Sequence, residues 1–143
     1  MKDNLLRGMT TIRRFILAGR AILTIKNPAT GVRFTYKINK KVIKDGKRIY
    51  FVSCLIGPNY KYIGTIFTTA YFSWTKKSKV NRNDKVFKAF YWFWTKLQTE
   101  TDLQDVIMVY HHGRCGRCGR ILTVPASIIR GIGPICKKKC GYL

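Results

Sequence analysis

Four of the five cysteines lie in two close pairs near the C-terminus of the chain. Cys115 and Cys118 form the first pair, Cys136 and Cys140 form the second, and 17 residues separate the pairs. Two such pairs are a common way to hold tetrahedral Zn²⁺, because each tight turn presents two thiolates and the intervening chain folds back. The sequence therefore predicts a zinc site on these four cysteines, which is structural because four thiolates leave no open position for substrate.

Other roles for the cysteines stay open on spacing alone. A disulfide framework suits a secreted chain, and no secretion signal is evident. A redox CxxC normally follows a strand in a βαβ unit and needs no second pair, whereas an iron–sulfur cluster also takes four cysteines. The three-residue spacing before Cys140 is the less usual one, so His111 or His112 is the alternative fourth ligand.

The residues around the first pair suit a thiolate site. Gly116 and Gly119 allow the backbone to turn so that its amides point at the sulfurs. Arg114, Arg117 and Arg120 place positive charge beside the sulfurs, which favours the thiolate form and offsets the net charge of a four-thiolate zinc centre.

The segment between the pairs predicts a turn followed by two short helices. RILTVP reads as a hairpin or turn, and PASIIRG reads as a helical turn that starts at Pro125 and ends at Gly131. A second helix is expected to start near Pro134, with Cys136 just inside it. A cysteine pair on a turn and another at a helix start is the layout of a treble-clef finger, so residues 111–143 are predicted to form a zinc module.

The run CGRCGRILTVPASIIRGIGPIC resembles an uncharacterised family of small domains found in phage and bacterial proteins. That family shows CxxCGRxLT followed by GxGPxC, and the similarity covers about residues 112 to 140. The resemblance implies an origin in a mobile element and metal binding through Cys115, Cys118 and Cys136. It implies no activity. Members often show three obvious cysteines, so Cys140 is where this chain departs from the pattern.

Residues 1–110 predict an antiparallel sheet of about four to five strands. In VRFTYKI, Val32, Tyr36 and Ile38 fall on one face, whereas Arg33 and Lys37 fall on the other, as in a half-buried strand. Short Pro/Gly, DG and GPNY connections join neighbouring strands, which favours antiparallel pairing. The predicted strands are AILTIKN, VRFTYKI, RIYFVSCLI, KYIGTIF and a last one in LQDVIMVYHH.

One helix is predicted to cover this sheet. DKVFKAFYWFWTKLQ has helical periodicity, and Asn83 or Asp84 can cap it. Its apolar stripe comprises Val86, Phe87, Phe90, Phe93, Trp94 and Leu97. Tyr91 and Trp92 either widen this buried face or are exposed stacking residues. The fold class is therefore α+β, with a body at residues 1–110 and a C-terminal treble-clef-like zinc module.

The charge balance predicts a polyanionic partner. The chain has 28 Lys and Arg against 6 Asp and Glu, a formal charge of +22, and a hydrophobic fraction of 46% that can still build a core. Nucleic acid, DNA or RNA, is the leading candidate. The predicted phosphate contacts are Arg33, Lys37, Lys40, Lys41, Lys44 and Lys47; Lys76, Lys77, Lys79 and Arg82; and Arg114, Arg117, Arg120, Lys137, Lys138 and Lys139. Tyr60, Tyr62, Tyr71 and Trp74 interleave with these residues as core or as stacking platforms.

The sequence gives little support for catalysis. Paired carboxylates, a P-loop and a dinucleotide-binding glycine pattern are not evident. His111 and His112 are the only histidines, and a proton-shuttling role in RNA cleavage is a minor hypothesis for them. We therefore expect a binding protein and not an enzyme.

The N-terminus and the resemblance bear on location and on the alternative function. Arg13, Arg14, Arg20 and Lys26 interrupt the N-terminal apolar stretch, so we expect no signal peptide, no membrane partner and a location in the cytosol of a bacterial host. The alternative function is a host-directed effector that binds and inhibits a defence complex or a nucleic-acid-processing complex.

Overall fold

The computed structural model describes residues 4–68, 70–99 and 101–139, and these residues form one large sheet with four helices. The strands are β1 (Leu5–Leu6), β2 (Arg20–Lys26), β3 (Arg33–Val42), β4 (Arg48–Ile56), β5 (Asn59–Phe67), β6 (Tyr71–Ser73) and β7 (Met108–His111). The helices are α1 (Met9–Ile16), α2 (Lys85–Gln98), α3 (Pro125–Arg130) and α4 (Pro134–Lys139). The strand order is β1-β7-β2-β3-β4-β5-β6, and all neighbours pair antiparallel. The α+β class and the antiparallel sheet are confirmed.

The centre of the sheet is the predicted meander β2-β3-β4-β5. Its turns use the expected residues: Asn27 Oδ1 accepts the Ala29 amide at 2.9 Å between β2 and β3. Asp45 and Gly46 both have positive φ between β3 and β4, a conformation that Asp and Gly tolerate better than most residues. These short connections explain why consecutive strands become neighbours.

The sheet has seven strands, and two of them, the short edge strands β1 and β6, were not predicted from the sequence. Helix α1 was not predicted either. β1 has two residues and β6 has three, too few to show a periodic pattern. Helix α1 buries Ile12, Phe15 and Ile16, which have helical spacing. Its β-branched residues lower its intrinsic helix propensity, so the packing of these side chains on the sheet stabilises it.

Helix α2 covers one face of the sheet as predicted. Asp84 is its cap, since Oδ1 accepts the Val86 amide at 3.0 Å. All six residues of the predicted stripe are buried. Tyr36 on β3 donates to the Val86 carbonyl at 2.8 Å and its ring lies 4.9 Å from that of Phe90. None of the helices in the described ranges is long and apolar enough to cross a bilayer.

The register of the strands separates two faces of the sheet. Three side chains on the core face hydrogen-bond to residues of the helices or next to them. Tyr36 on β3 bonds Val86 of α2, Tyr50 on β4 bonds Leu17 at the end of α1, and His111 on β7 bonds Ile128 of α3. Helices α1, α2 and α3 therefore all lie on this side of the sheet. The other side carries no helix among the described residues. This open face includes Ile22, Thr24, Lys26, Arg33, Thr35, Lys37, Asn39, Lys41, Ile49, Phe51, Ser53, Leu55, Tyr60, Tyr62, Thr65, Met108 and Tyr110.

The cysteine-rich segment, which comprises residues 111–139 of the described chain, docks on α1 through two glycines. A Cβ atom on Gly116 would lie 2.7 Å from the Phe15 ring, and one on Gly131 would lie 2.6 Å from it. The Gly116 carbonyl accepts the Arg20 amide at 2.6 Å. Cys115 and Ile132 are buried in the same apolar cluster as Phe15. The division into residues 1–110 and 111–143 stays a prediction.

We predict that Gly116→Ala destabilises the protein by about 1–3 kcal/mol, because the added methyl group overlaps the buried Phe15 ring. Urea denaturation measures the change. Gly133→Ala is the matched control, since its Cβ would meet nothing closer than 4.0 Å. We expect the control to change the free energy of unfolding by less than about 1 kcal/mol.

A double variant checks the cause of this loss. Phe15→Leu is expected to cost less in the Gly116→Ala background than in the wild-type background, because the smaller side chain relieves the overlap. Additive effects of the two substitutions, or equal effects of Gly116→Ala and Gly133→Ala, would contradict the proposed contact.

Candidate metal centre and basic surfaces

The first cysteine pair lies at the tip of a tight turn. Arg114 and Ile121 form an isolated antiparallel bridge that closes the turn. Within it, the Gly119 amide donates to the Cys115 carbonyl at 2.9 Å, and Gly119 has a φ of 80°. The backbone thus uses the left-handed region at Gly119, as the sequence suggested. Gly116 serves a different purpose, which is the close approach to Phe15.

The second part of the centre is the start of α4. Helix α3 begins at Pro125 and ends at Arg130, and Gly131 caps it with a φ of 72°. Helix α4 begins at Pro134, so Cys136 lies in its first turn. A cysteine pair on a turn and a cysteine at a helix start is the predicted treble-clef-like layout.

The fold brings three sulfurs together. The Sγ atoms of Cys115, Cys118 and Cys136 all lie within 4.8 Å of one another. Tetrahedral zinc with Zn–S bonds of about 2.3 Å separates its sulfurs by about 3.8 Å, so small side-chain movements close the three around one ion. The four cysteines in the described residues are free thiols. Three converging soft donors fit a metal ion well.

Backbone amides stabilise the Cys115 thiolate. The Gly133 amide donates to Cys115 Sγ at 3.3 Å, and the Arg117 amide donates to it at 3.4 Å. Burial raises the pKa of Cys115, but the N–H groups of Gly133, Cys118 and Arg117 outweigh it and hold the pKa below its usual range. Amides that point at a sulfur favour the charged form that binds metal.

Cys136 has a different environment. Burial raises its pKa, and the neighbouring thiols Cys118 and Cys115 add to the rise. The Arg117 guanidinium lies 3.7 Å from Cys136 Sγ and opposes that rise by donating to the sulfur. Arg117 therefore contacts the sulfurs through both its amide and its side chain. Its positive charge lies beside the thiolates, as predicted for this residue.

The two histidines make their contacts elsewhere. His111 Nε2 donates to the Ile128 carbonyl at 2.6 Å, while His111 Nδ1 accepts the Gly113 amide at 2.9 Å. His112 Nε2 hydrogen-bonds Thr24 Oγ1 at 2.8 Å. Neither joins the cysteine cluster among the described residues. Cys140 lies outside the described residues, and its role as the fourth ligand stays a prediction.

The contacts of His111 also argue against the nuclease hypothesis for that residue. His111 is buried, and burial lowers its pKa despite the bond to Ile128. Both ring nitrogens are hydrogen-bonded to the backbone, which fixes a neutral tautomer. A side chain held in this way links β7 to α3 and presents no nitrogen to a substrate.

The remaining cysteine, Cys54, is part of the sheet core and lies apart from the metal centre. It lies on the core face of β4 and is fully buried. Burial, with Asp84 nearby, raises the pKa of its thiol to about 12, so the group stays protonated and behaves as a small apolar side chain.

The first predicted basic cluster divides between two faces of the sheet. Arg33, Lys37 and Lys41 alternate along β3 on the open face. Lys40 points to the other side and lines a depression with Arg117 and Cys118. Lys44 and Lys47 lie at the tip of the β3–β4 hairpin.

The other two clusters lie on the loop before α2 and around the cysteines. Lys76, Lys77, Lys79 and Arg82 are exposed on the loop before α2. The Arg82 guanidinium lies 4.6 Å from the centre of the Trp74 ring. The third cluster surrounds the cysteines, and its members are Arg114, Arg117, Arg120, Lys137, Lys138 and Lys139.

The exposure of the aromatic residues follows their position in the fold. Tyr91 is 51% exposed and Trp92 is 40% exposed on α2, so they do not widen its buried face. Tyr60 and Tyr71 are exposed, whereas Trp74 packs against the core. Sequence reasoning missed Tyr110, which alternates with the buried Val109 and His111 on β7 and therefore lies on the open face.

Comparison with known proteins supports the resemblance. Residues 109–141 match a family of unknown function, DUF6011. No curated protein and no solved structure is significantly similar to the chain. The match covers the cysteine-rich segment, and it confirms that this segment is similar to an uncharacterised family with a cysteine motif.

We predict that Cys115→Ser and Cys136→Ser each abolish stoichiometric metal binding, because each removes one of three converging sulfurs. Elemental analysis and the spectrum of the cobalt-substituted protein measure the metal. Cys54→Ala is the matched control and should retain the full metal content, since Cys54 lies in the sheet core. Cys140→Ser tests the fourth ligand: an unchanged cobalt spectrum would exclude Cys140.

Proposed function

We propose that the protein binds nucleic acid and that a zinc ion on the C-terminal cysteines is part of its structure. The observation that carries the proposal is the formal charge of +22 on a chain with a well-packed core. Such a charge attracts a polyphosphate over long distances and releases the counterions of the polymer on binding.

The distribution of charge supports a polyphosphate partner. Among the described residues the acids are Asp45, Asp84, Asp102 and Asp105, and none lies in a strand. Asp84 serves as a helix cap. Carboxylates in the described ranges are therefore few beside the lysines and arginines of the three clusters, and exposed cations gain favourable contacts with phosphates.

Zinc is the metal that best suits the centre. Thiolates are soft ligands, and a site made of a turn and a helix start is the usual structural zinc arrangement. We propose Cys140 as the fourth ligand, because it follows Cys136 by four residues and residues at that spacing share one face of a helix. Bound in this way, zinc would tie the turn at Cys115 and Cys118 to the chain at Cys136. An iron–sulfur cluster is the competing occupant, and its visible absorption distinguishes it.

We also propose that the protein is encoded by a mobile element and acts in the bacterial cytosol. The support for this assignment is the resemblance of the cysteine-rich segment to phage and bacterial domains. Recognition is expected to depend on phosphates more than on sequence, since the support for nucleic-acid binding is charge, and phosphate contacts carry no sequence information directly.

The alternative function, an effector that binds a host protein, has one specific observation in its favour. Ile121, Val124 and Ile135 are each at least half exposed and line one depression beside the sulfurs. Exposed apolar groups in one place are typical of protein contacts. A host protein bound there by an effector would be retained at high salt and lost in Ile135→Ser, whereas nucleic-acid binding would not depend on Ile135.

We predict that removal of the metal unfolds the cysteine-rich segment and leaves the sheet and α2 largely folded. The metal would supply folding free energy to the cysteine-rich segment, whereas the aromatic contacts between the sheet and α2 involve none of its residues. Hydrogen exchange with and without a chelator measures this. Unchanged protection of residues 111–139 in the metal-free protein would contradict a structural metal.

We predict that the zinc-loaded protein binds nucleic acid with a steep dependence on salt. For a single strand, log K falls with log salt by about 0.7 for each phosphate engaged, so the slope counts the contacts. Fluorescence anisotropy with single-stranded DNA, duplex DNA and RNA, each across a salt series, gives these slopes.

The same titrations contain the outcome that would refute the proposal. Weak binding that is equal for the three polymers and absent at physiological salt would mean that the charge acts without specificity. The apolar depression on the cysteine-rich segment would then be the surface to pursue.

A further inference from the structure

The open face of the sheet is a surface on which the described residues place no helix. The core face is filled by α1, α2 and the cysteine-rich segment. On the open face, aromatic rings stay partly exposed: Tyr60 is 36% accessible, and Phe51, Tyr62 and Tyr110 are half-buried. A half-exposed ring on a sheet presents its surface to a ligand without the entropy cost of ordering a loop.

One part of this face is a small basic depression. Its volume is about 170 Å³, and its lining consists of Thr24, Lys26, Arg33 and Tyr110. Thr24 is held in place, because its hydroxyl bonds Thr35 at 2.7 Å and His112 at 2.8 Å. Two cations beside one tyrosine combine a phosphate contact with a ring on which a base can stack.

A second part lies two strands away. The Phe51 and Tyr62 rings pack edge to face with centres 6.1 Å apart, and Lys37 Nζ lies 5.5 Å from the centre of the Tyr60 ring. Lys37 stands on β3 between this aromatic group and the basic depression. Cations on β2 and β3 therefore lie between a ring on β7 and the rings on β4 and β5.

We propose that the open face is a platform on which a single strand of nucleic acid lies, with bases stacked on Tyr110 and on the aromatic group at Phe51 and Tyr60, and with phosphates on Arg33 and Lys37. This inference rests on the proposed function and assigns it a surface and a polymer. A single strand is specified because bases must be unpaired to stack on side chains, whereas the bases of a duplex are already stacked.

The dimensions of the face suit this ligand. Five adjacent strands from β7 to β5 span roughly 19 Å at the usual spacing between strands. This length accommodates a short run of nucleotides, as in other sheets that bind single strands. The acids of the described residues lie outside the strands, so the strands place no carboxylate on this face to repel phosphates.

A groove between β6 and α2 is the rival surface for stacking. Tyr71, Trp74 and Tyr91 line it together with Arg82 and Lys88. The lining of the groove has two cations, whereas the open face has four, which are Lys26, Arg33, Lys37 and Lys41. The residues of the groove provide matched controls, because they belong to the same residue types at a different place.

The test compares variants on the two surfaces in the zinc-loaded full chain. Tyr110→Leu and Lys37→Ala change the open face, while Tyr91→Leu and Lys88→Ala make the same chemical changes beside α2. Affinity for a labelled single-stranded oligonucleotide and for a duplex of the same sequence is measured at fixed salt. We expect each open-face variant to weaken single-strand binding about tenfold, the loss of one stacked base or phosphate contact, and each control to change it less than about threefold.

The outcomes separate this inference from the proposed function. If the wild-type protein binds neither polymer at physiological salt, the proposed function fails and the inference fails with it. If the wild-type protein binds but the open-face variants bind equally well, or if the controls are the ones that weaken, the function stands and this surface is wrong. A preference for duplex would also overturn the inference.

Photocross-linking gives a readout that does not depend on affinity. An oligonucleotide with 5-iodouracil, irradiated in the complex, should label peptides that contain Tyr110 on β7 or Tyr60 on β5. Labels confined to the loop before α2 or to the cysteine-rich segment would contradict the proposal. The remaining alternative is that a second copy of the protein covers the open face. Sedimentation equilibrium tests this alternative, since it would make the protein a dimer that Tyr110→Leu dissociates.

Discussion

The structure depends on the packing of the α2 aromatic residues against one face of the sheet. The Phe90 ring lies within 6 Å of the rings of Tyr36, Phe72 and Phe93, which connects β3, β6 and the helix itself. Burial of such rings contributes most of the stability of a small core. Because strand residues alternate, filling one face with these groups leaves the remaining side chains together on the other face. The core therefore determines which residues are presented to a partner.

The cysteine-rich segment is connected to that core by contacts that need the smallest residue. Gly116 and Gly131 lie against Phe15, and the Gly116 carbonyl accepts a hydrogen bond from Arg20 at the start of β2. Two of its sulfurs, those of Cys115 and Cys136, are buried. A metal ion there would act on a segment already packed against α1, so it would stabilise the turn and the α4 start more than the sheet.

Much of this structure follows from local patterns in the sequence. The alternation in VRFTYKI predicts β3, and the stripe from Val86 to Leu97 predicts α2 with every buried position correct. Pro125, Gly131 and Pro134 predict the short helices that bring Cys136 to the first pair. These features succeed because each depends on residues that are close in the chain.

The features that sequence reasoning missed depend on residues far apart in the chain. The docking role of Gly116 depends on Phe15, about a hundred residues earlier. Val32 was expected to share the buried face of its strand but is 52% exposed, because β3 begins only at Arg33. The composition of the open face also needs the register of five strands, which no single segment contains.

The position of β7 has a consequence for how the chain reaches its native state. β7 lies between β2 and β1, so Leu5 and Leu6 have no strand partner until Val109 and Tyr110 arrive. The hairpins from β2 to β5 form between neighbours in the chain, whereas the last two additions require contacts over about a hundred residues, which slows them. During synthesis β1 therefore stays unpaired until β7 has left the ribosome, so the sheet is completed only after most of the chain has been made.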